Sequence, residues 1–104
     1  MRLLVFVSSN CSHCPNAEKV ARKISFEYSE DGLSYEKIRT NTASGKDLSI
    51  KYSVLSVPSL LFIDDNGMEI NRIVGDPSEV GLRKKIERSL GLRKSFLDKL
   101  FKSK

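Results

Sequence analysis

The two cysteines of the chain, Cys11 and Cys14, are separated by two residues and followed directly by a proline. At this spacing two sulfur atoms can come within bonding distance, so the pair can interconvert between a dithiol and a disulfide. Two thiolates can also bind a soft metal ion. The sequence therefore allows three kinds of chemistry: thiol–disulfide exchange, metal binding or an inert structural bridge.

Metal binding and an inert bridge are both disfavoured. A zinc site needs four ligands, and the single histidine, His13, lies between the two cysteines. A copper carrier needs only two thiolates, but the strand and helix order around this pair does not suit it. No apolar stretch reaches the length of a membrane span or a signal-peptide core, so we expect a cytoplasmic, reducing location. We predict redox activity at the cysteine pair, no bound metal and no cofactor.

The pattern around the cysteines predicts that a buried strand gives way to a helix there. The apolar run Leu3–Val7 is typical of a strand buried on both faces. Apolar residues recur at helical spacing after Pro15, a residue that suits a first helical turn. A helix N-terminus favours negative charge and lowers the pKa of a thiol placed there. We therefore predict that Cys11 is the nucleophile and that the more buried Cys14 resolves the mixed disulfide.

The stabilisation of a thiolate by a helix N-terminus is large enough to activate a cysteine thiol. A free cysteine, with a pKa near 8.5, is only about 3% thiolate at pH 7. About 2 kcal/mol of preferential thiolate stabilisation makes half of the population reactive at that pH. A helix end supplies about 1–2 kcal/mol, and His13 can add to it as a charge or as a hydrogen-bond donor. We therefore predict that His13 assists Cys11.

The rest of the chain predicts an α/β fold in the order β-α-β-α-β-β-α. After the first strand and helix come a strand at 33–38, a short helix from Asn41 or Thr42 to Tyr52, an apolar strand at 60–63, a turn at 64–67 and a return strand at 68–74. Strands joined by helices are expected to run parallel, and the hairpin adds an antiparallel edge. The expected fold is a four-stranded mixed sheet with helices on both faces.

The last predicted helix is followed by a C-terminal extension. Asp76 is expected to cap the helix, Pro77 to take its first position and Gly91 to end it. After Gly91 the chain continues as a second, basic and amphipathic helical stretch. We therefore divide the chain into a domain, residues 1–91, and an extension, residues 92–104.

The positive charge of the chain is concentrated at its C-terminal end. Residues 83–104 carry nine lysines and arginines against two acids, a local charge of +7, whereas the whole chain has a net charge of +5. A solvated helix face accounts for this pattern, so we expect no nucleic-acid partner. The apolar residues of the extension allow packing on the domain or a dimer seam, and we expect a monomer or weak dimer.

Two landmarks make the chain resemble the thioredoxin family. The first is Cys11-Ser12-His13-Cys14-Pro15 after a buried strand, and the second is Ser56-Val57-Pro58-Ser59 before an apolar strand. Asn66-Gly67 in the hairpin and Gly75 after the last strand also match, so the resemblance covers about residues 1–90. The chain most resembles the short, glutaredoxin-sized members of the family, which begin directly at the strand before the cysteines.

The resemblance implies a thioredoxin-like fold and activity on protein disulfides, with a reductase or a small thiol as electron donor. It also implies that Pro58 is cis and lies against the cysteines, and that the backbone of Val57 and the nearby Ser12 contact an extended substrate segment. Two alternatives stay open on the same sequence. Pro58 could begin a strand as an ordinary trans proline, and the scaffold could serve as a non-catalytic binding module or a soft-metal carrier.

Deleting residues 92–104 should leave redox activity nearly intact, because the predicted redox residues and core positions all precede residue 92. Reduction of insulin by dithiothreitol, compared between the full chain and the truncated one, measures this. Loss of cooperative thermal unfolding in the truncated chain would instead show that the extension belongs to the core.

Overall fold

The structure, a computed structural model, describes the backbone of residues 1–101 and the side chains of residues 1–91. The predicted order β-α-β-α-β-β-α is confirmed. The elements are β1 (Arg2–Val7), α1 (Cys14–Glu27), β2 (Ser34–Arg39), α2 (Ala43–Lys51), β3 (Ser59–Ile63), β4 (Glu69–Val74) and α3 (Glu79–Phe101), with a short 3-10 turn at Ser29–Asp31 after α1.

The four strands form one mixed sheet in the order β2-β1-β3-β4. β1 pairs with β2 in parallel, whereas β1 with β3 and β3 with β4 pair antiparallel. The mixed sheet is confirmed, but the expectation that β3 also runs parallel to β1 is wrong. A helix between two strands does not fix their relative direction, because residues 52–58 after α2 bring the chain back to the end of the sheet where β2 stopped.

Both faces of the two central strands are buried, which confirms helices on both faces of the sheet. Alternate residues of a strand point to opposite faces, so β1 and β3 each contribute to two apolar layers. The layer shared with α1 and α3 includes Leu3, Val5, Leu60, Phe62, Ile24 and Ile86. The layer on the other face includes Leu4, Phe6, Leu61 and Ile63, with Leu48 and Tyr52 packed against it. Packing in these layers holds the end of β1 and the start of α1 in fixed positions relative to the sheet.

Polar contacts also join α1 to α3. The hydroxyl of Tyr28 donates a hydrogen bond to Glu87 Oε2 at 2.6 Å, and this bond to a carboxylate raises the pKa of Tyr28 to about 12. Nearby, Arg83 Nη2 lies 2.9 Å from Glu27 Oε2. Both pairs are at the C-terminal end of α1, so they orient the helix without occupying the end that carries the cysteines.

The helix α3 begins later than predicted, because Ser78 caps it instead of Asp76. The Ser78 Oγ accepts a hydrogen bond from the backbone N–H of Gly81 at 3.0 Å, and the first helical residue is Glu79. Pro77 therefore precedes the helix instead of opening it. Asp and Ser are equally good capping residues, and the carboxylate of Asp76 has a partner on α1 instead.

The helix α3 also continues past Gly91, where the sequence predicted its end, and reaches Phe101. A glycine costs a helix interior about 1 kcal/mol relative to alanine but does not break it, and no proline follows. The division of the chain at residues 91 and 92 stays a prediction. The expected packing of the side chains of residues 92–104 lies outside the described residues.

Gly45 gives a test of how closely α2 approaches β2. A methyl group on Gly45 would clash with the backbone carbonyl oxygen of Arg39, so part of the backbone would have to shift. We expect Gly45→Ala to lower the free energy of unfolding by about 1–3 kcal/mol, the usual cost of overpacking. Urea denaturation measures the change.

The matched control is the same substitution in α3. A methyl group on Gly91 would meet none of the described residues within 4 Å, so Gly91→Ala should raise the free energy of unfolding by roughly 0.5–1 kcal/mol through helix propensity alone. If both substitutions stabilised the protein, the close approach at Gly45 would be wrong.

Candidate functional site

Four segments of the chain meet at one end of the sheet. Phe6 near the end of β1 lies opposite Ser59 at the start of β3, and Ser59 lies opposite Val74 at the end of β4. The strand β2 ends beside Val7, the last residue of β1. The segments that leave or enter the sheet there are residues 8–13, 40–42, 57–58 and 75–78. This end is called the active end below.

Cys11 and Cys14 are joined by a disulfide at the active end, with their Cα atoms 5.4 Å apart. The Cys14 N–H donates a hydrogen bond to the Cys11 carbonyl at 3.3 Å, which closes a tight turn before α1. Cys14 is the first residue of α1 and is only 1% exposed, whereas Cys11 is partly exposed. The prediction that the spacing brings the two sulfur atoms together is confirmed, and their burial differs in the expected direction.

The first turn of α1 contributes no negative charge of its own. His13 is the N-cap residue, its side chain makes no capping hydrogen bond, and the first turn contains no acid. The positive end of the helix dipole therefore acts directly on the turn that holds the cysteines. Pro15 occupies the first turn, as predicted. The imidazole of His13 is 72% exposed, and Ser12 beside it is exposed as well.

Asp76 joins the loop after β4 to the first turn of α1. Its Oδ1 accepts a hydrogen bond from Asn16 Nδ2 at 2.8 Å, and its Oδ2 lies 3.6 Å from Nδ1 of His13. The sequence analysis missed Asp76 as a neighbour of the site because a cap on α3 was the simpler interpretation. Asn16 and Asp76 are 60 positions apart, and no local pattern connects residues at that distance.

Val57 and Pro58 enter β3 at the active end, and the peptide bond between them is cis. The alternative of a trans Pro58 is therefore wrong. The Pro58 carbonyl accepts a hydrogen bond from the N–H of Gly75 at 2.9 Å, and Gly75 has a φ of +100°, a backbone conformation that favours glycine. Val57 is half-buried and packs against the same apolar cluster as Cys11.

Arg72, which the sequence analysis did not single out, braces the segment that leads to Pro58. From β4 its guanidinium donates hydrogen bonds to the backbone carbonyls of Tyr52 and Ser53, and it forms an ion pair with Glu69 at 2.5 Å. The hydrogen bond to Glu69 raises the pKa of Arg72 further above its already high ordinary value. The group is thus a permanent cation, and it holds the chain between α2 and β3 against the sheet.

A cavity of about 220 Å³ lies on the β2 side of the cysteines. Cys11 and Cys14 form part of its wall, together with Glu18 from α1 and Lys37 from β2. Lys37 Nζ and Glu18 Oε1 form an ion pair at 2.6 Å. This pair is a second feature of the site that the sequence analysis missed, because it joins a helix to a strand.

In the part of the chain that the structure describes, no group of three or more histidines, cysteines or acids is arranged to hold a metal ion. No helix of that part is both long and apolar enough to cross a membrane.

A family model and a curated relative both match this chain and agree on the family. Residues 1–87 match the family model described as thioredoxin domain. A protein of Archaeoglobus fulgidus described as a probable thioredoxin is 33% identical over 87 residues, which are 84% of this chain and 87% of that one.

Solved structures share the fold. Thioredoxin 1 of Thermosipho africanus has a TM-score of 0.74 at 21% identity, over 90% of this chain and 99% of that one. A malaria-parasite thioredoxin-2, described as a component of protein secretion machinery, has a TM-score of 0.72 at 21% identity, over 84% and 81%. Fasciola hepatica thioredoxin has a TM-score of 0.64 at 27% identity, over 84% and 78%.

The unequal burial of the two sulfur atoms leads to a testable difference in reactivity. In the reduced protein at pH 7, we expect iodoacetamide to modify Cys11 roughly tenfold faster than free cysteine, because the helix N-terminus stabilises its thiolate. Cys14 should react more slowly than Cys11, because it is buried. Quenched time points analysed by peptide mass spectrometry give both rates. A Cys11 that reacts no faster than free cysteine would contradict the expected activation.

Proposed function

The chain belongs to the thioredoxin family, and from this premise we propose that it exchanges electrons with disulfides of other proteins through Cys11 and Cys14. The proposal rests on one observation. A partly exposed sulfur and a buried sulfur are joined at the N-terminus of a helix whose first turn holds no acid. This arrangement suits a nucleophile paired with a resolving thiol.

In the first step, the thiolate of Cys11 attacks one sulfur of a partner disulfide. A bond forms between Cys11 Sγ and that sulfur, the partner's own S–S bond breaks, and its second sulfur leaves as a thiolate. The helix N-terminus assists this step because it favours the thiolate form of the attacking group.

In the second step, Cys14 loses its thiol proton and attacks Cys11 Sγ. The Cys11–Cys14 disulfide forms, and the remaining partner sulfur leaves as a thiolate that takes up a proton. Two electrons have then moved from the chain to the partner. A reductase or a small thiol must return them to regenerate the dithiol.

Val57 is the proposed site of substrate pairing. An extended partner segment would form backbone hydrogen bonds with Val57, in the manner of strand addition, and would pass the exposed Ser12. The cis bond before Pro58 and the position of Val57 beside the cluster that includes Cys11 support this role.

His13 is proposed to assist the thiolate of Cys11. A protonated imidazole next to the attacking sulfur favours the charged form of that sulfur, and a neutral one can donate a hydrogen bond. The exposed position of His13, with Asp76 Oδ2 3.6 Å from its Nδ1, supports the role. A cytoplasmic location and a monomeric or weakly dimeric state stay predictions.

Insulin reduction by dithiothreitol tests the proposed function. Wild type should accelerate insulin precipitation, whereas Cys11→Ser should be inactive because it lacks the nucleophile. Cys14→Ser should accumulate mixed disulfides, visible as mass adducts, because the resolving thiol is missing. Wild type with both cysteines alkylated is the control for effects of added protein.

Two results would overturn this function. The first is both serine variants matching the wild-type rate. The second is stoichiometric zinc or copper that resists mild chelation in protein purified without reductant, a result that would favour the soft-metal carrier.

A further inference from the structure

A larger cavity, of about 660 Å³, lies between α1 and the start of β2, away from the cysteines. It shares no lining residue with the cavity beside the disulfide. Since β2 is an edge strand, paired only with β1 among the described strands, this cavity is called the edge groove below. Its volume is within the range of sites that bind small molecules.

Most of the surface that lines the edge groove is apolar. Phe26 of α1 is 79% exposed there, and no other aromatic side chain of the described residues is classed as exposed. Leu33 and Tyr35 also line the groove, and both belong to the apolar cluster beneath α1. A ligand that covers the Phe26 ring would remove apolar surface from water, which stabilises the bound state.

Positive charge lies beside this apolar surface. Lys19, Arg22 and Lys23 line the edge groove, and no acid does so among the described residues. Lys23 is paired with Glu79 at 3.1 Å, whereas Lys19 and Arg22 form no ion pair within the described part of the chain. Lys19, Arg22 and Phe26 follow one another at helical spacing, so they lie on one face of α1. This face favours a ligand that is both apolar and negatively charged.

Both acids of α1 are engaged by cations outside the groove, so they do not neutralise Lys19 and Arg22. Glu18 Oε1 is 2.6 Å from Lys37 Nζ, and Glu27 Oε2 is 2.9 Å from Arg83 Nη2. The free positive charge at the groove is therefore available to a ligand.

Two hydroxyl groups of the lining residues can also bind a polar group. Burial raises the pKa of Tyr35, and so does the charge of Glu18, whereas Arg22 lowers it. The Tyr35 hydroxyl therefore stays protonated as a donor, within electrostatic reach of the Arg22 guanidinium. Ser25 is buried, and its hydroxyl has no hydrogen-bond partner among the described residues. Buried polar groups usually have a partner, and a bound ligand would supply one.

We propose that the edge groove binds a small molecule with an apolar body and one negatively charged group, such as an aromatic carboxylate or sulfonate. The apolar body covers Phe26, and the negative group binds Lys19 and Arg22. A second copy of the chain fits less well, because a symmetric contact would bring the same two cations of each copy together. The inference does not depend on the proposed exchange function, since no residue of the groove takes part in the cysteine chemistry.

Two fluorescent probes test the apolar and the charged part of the groove separately. The anionic probe is 8-anilinonaphthalene-1-sulfonate, and the neutral probe is N-phenyl-1-naphthylamine, which has the same aromatic body without the sulfonate. Each is titrated into the full chain at pH 7 and low salt. For a ligand of about 20 non-hydrogen atoms at ordinary ligand efficiency, we expect the anionic probe to bind wild type with a Kd on the order of tens of micromolar.

Phe26→Ala should weaken the binding of both probes by on the order of tenfold, because it removes the largest exposed apolar contact. Arg22→Gln should weaken the anionic probe by about twofold to fivefold, the range for a solvent-exposed ion pair, and should leave the neutral probe unchanged. Lys19→Gln should act in the same direction. The effect of both charge variants should disappear at about 0.5 M salt, which screens exposed charges.

The matched controls make the same kinds of change outside the edge groove. Leu55 is 95% exposed and does not line the groove, so Leu55→Ala should leave both Kd values unchanged. Lys84, an exposed cation on α3, serves in the same way as Lys84→Gln. Arg22→Gln, at an exposed position, keeps the test decisive if Phe26→Ala does not fold. Cys11→Ser should bind both probes like wild type, which separates this inference from the exchange function.

Three results would overturn the inference. The first is a wild-type titration with the anionic probe that does not saturate below about 1 mM. The second is a loss of affinity in Leu55→Ala or Lys84→Gln as large as that in the groove variants, because the probe would then bind elsewhere. The third is a wild-type dimer in sedimentation velocity that Phe26→Ala converts to a monomer, because a second copy would then cover the groove.

Discussion

Antiparallel pairing of β1 with β3 is the constraint on which the site depends. Phe6 lies opposite Ser59, so the end of β1 and the start of β3 share one end of the sheet. That register brings the cis peptide before Pro58 to the end where the cysteines leave β1. The return of β4 along β3 then brings Gly75 to the same place, where its N–H binds the Pro58 carbonyl. A parallel β3 would have put the proline loop at the opposite end, far from the sulfur atoms.

The N-terminus of α1 has different polar groups on its two sides. On the β4 side, Asp76 accepts a hydrogen bond from Asn16 and lies near the exposed imidazole of His13. On the β2 side, Glu18 and Lys37 form their ion pair at the cavity wall. The β4 side therefore carries an exposed imidazole, whereas the β2 side carries a partly exposed ion pair beside the cavity. Surface ion pairs add little to stability, so we expect neither group of contacts to contribute much to it.

Predictions that depend on residues close together in the chain were correct, whereas those that depend on contacts between distant residues were not. The strand before the cysteines, α1 with Pro15 in its first turn, and the hairpin at 64–67 were predicted correctly, because each depends on residues close together in the chain. The cap of α3 was wrong, since Asp76 and Ser78 are both good caps and the choice depends on a contact with Asn16. The direction of β3 was wrong for a similar reason, because α2 and the segment after it could have led to either end of the sheet.

The amino-acid sequence by itself determined the pairing of the two cysteines and the order of the elements. Two sulfur atoms at a helix start follow from spacing and periodicity, which are local properties. Only the tertiary structure decided which residues the acids near the start of α1 contact. Asp76 reaches the first turn of α1 across 60 positions, and Glu18 meets Lys37 where a helix packs on a strand. Such contacts depend on register and on the packing of α1 over β2, and their geometry is set when the whole core assembles.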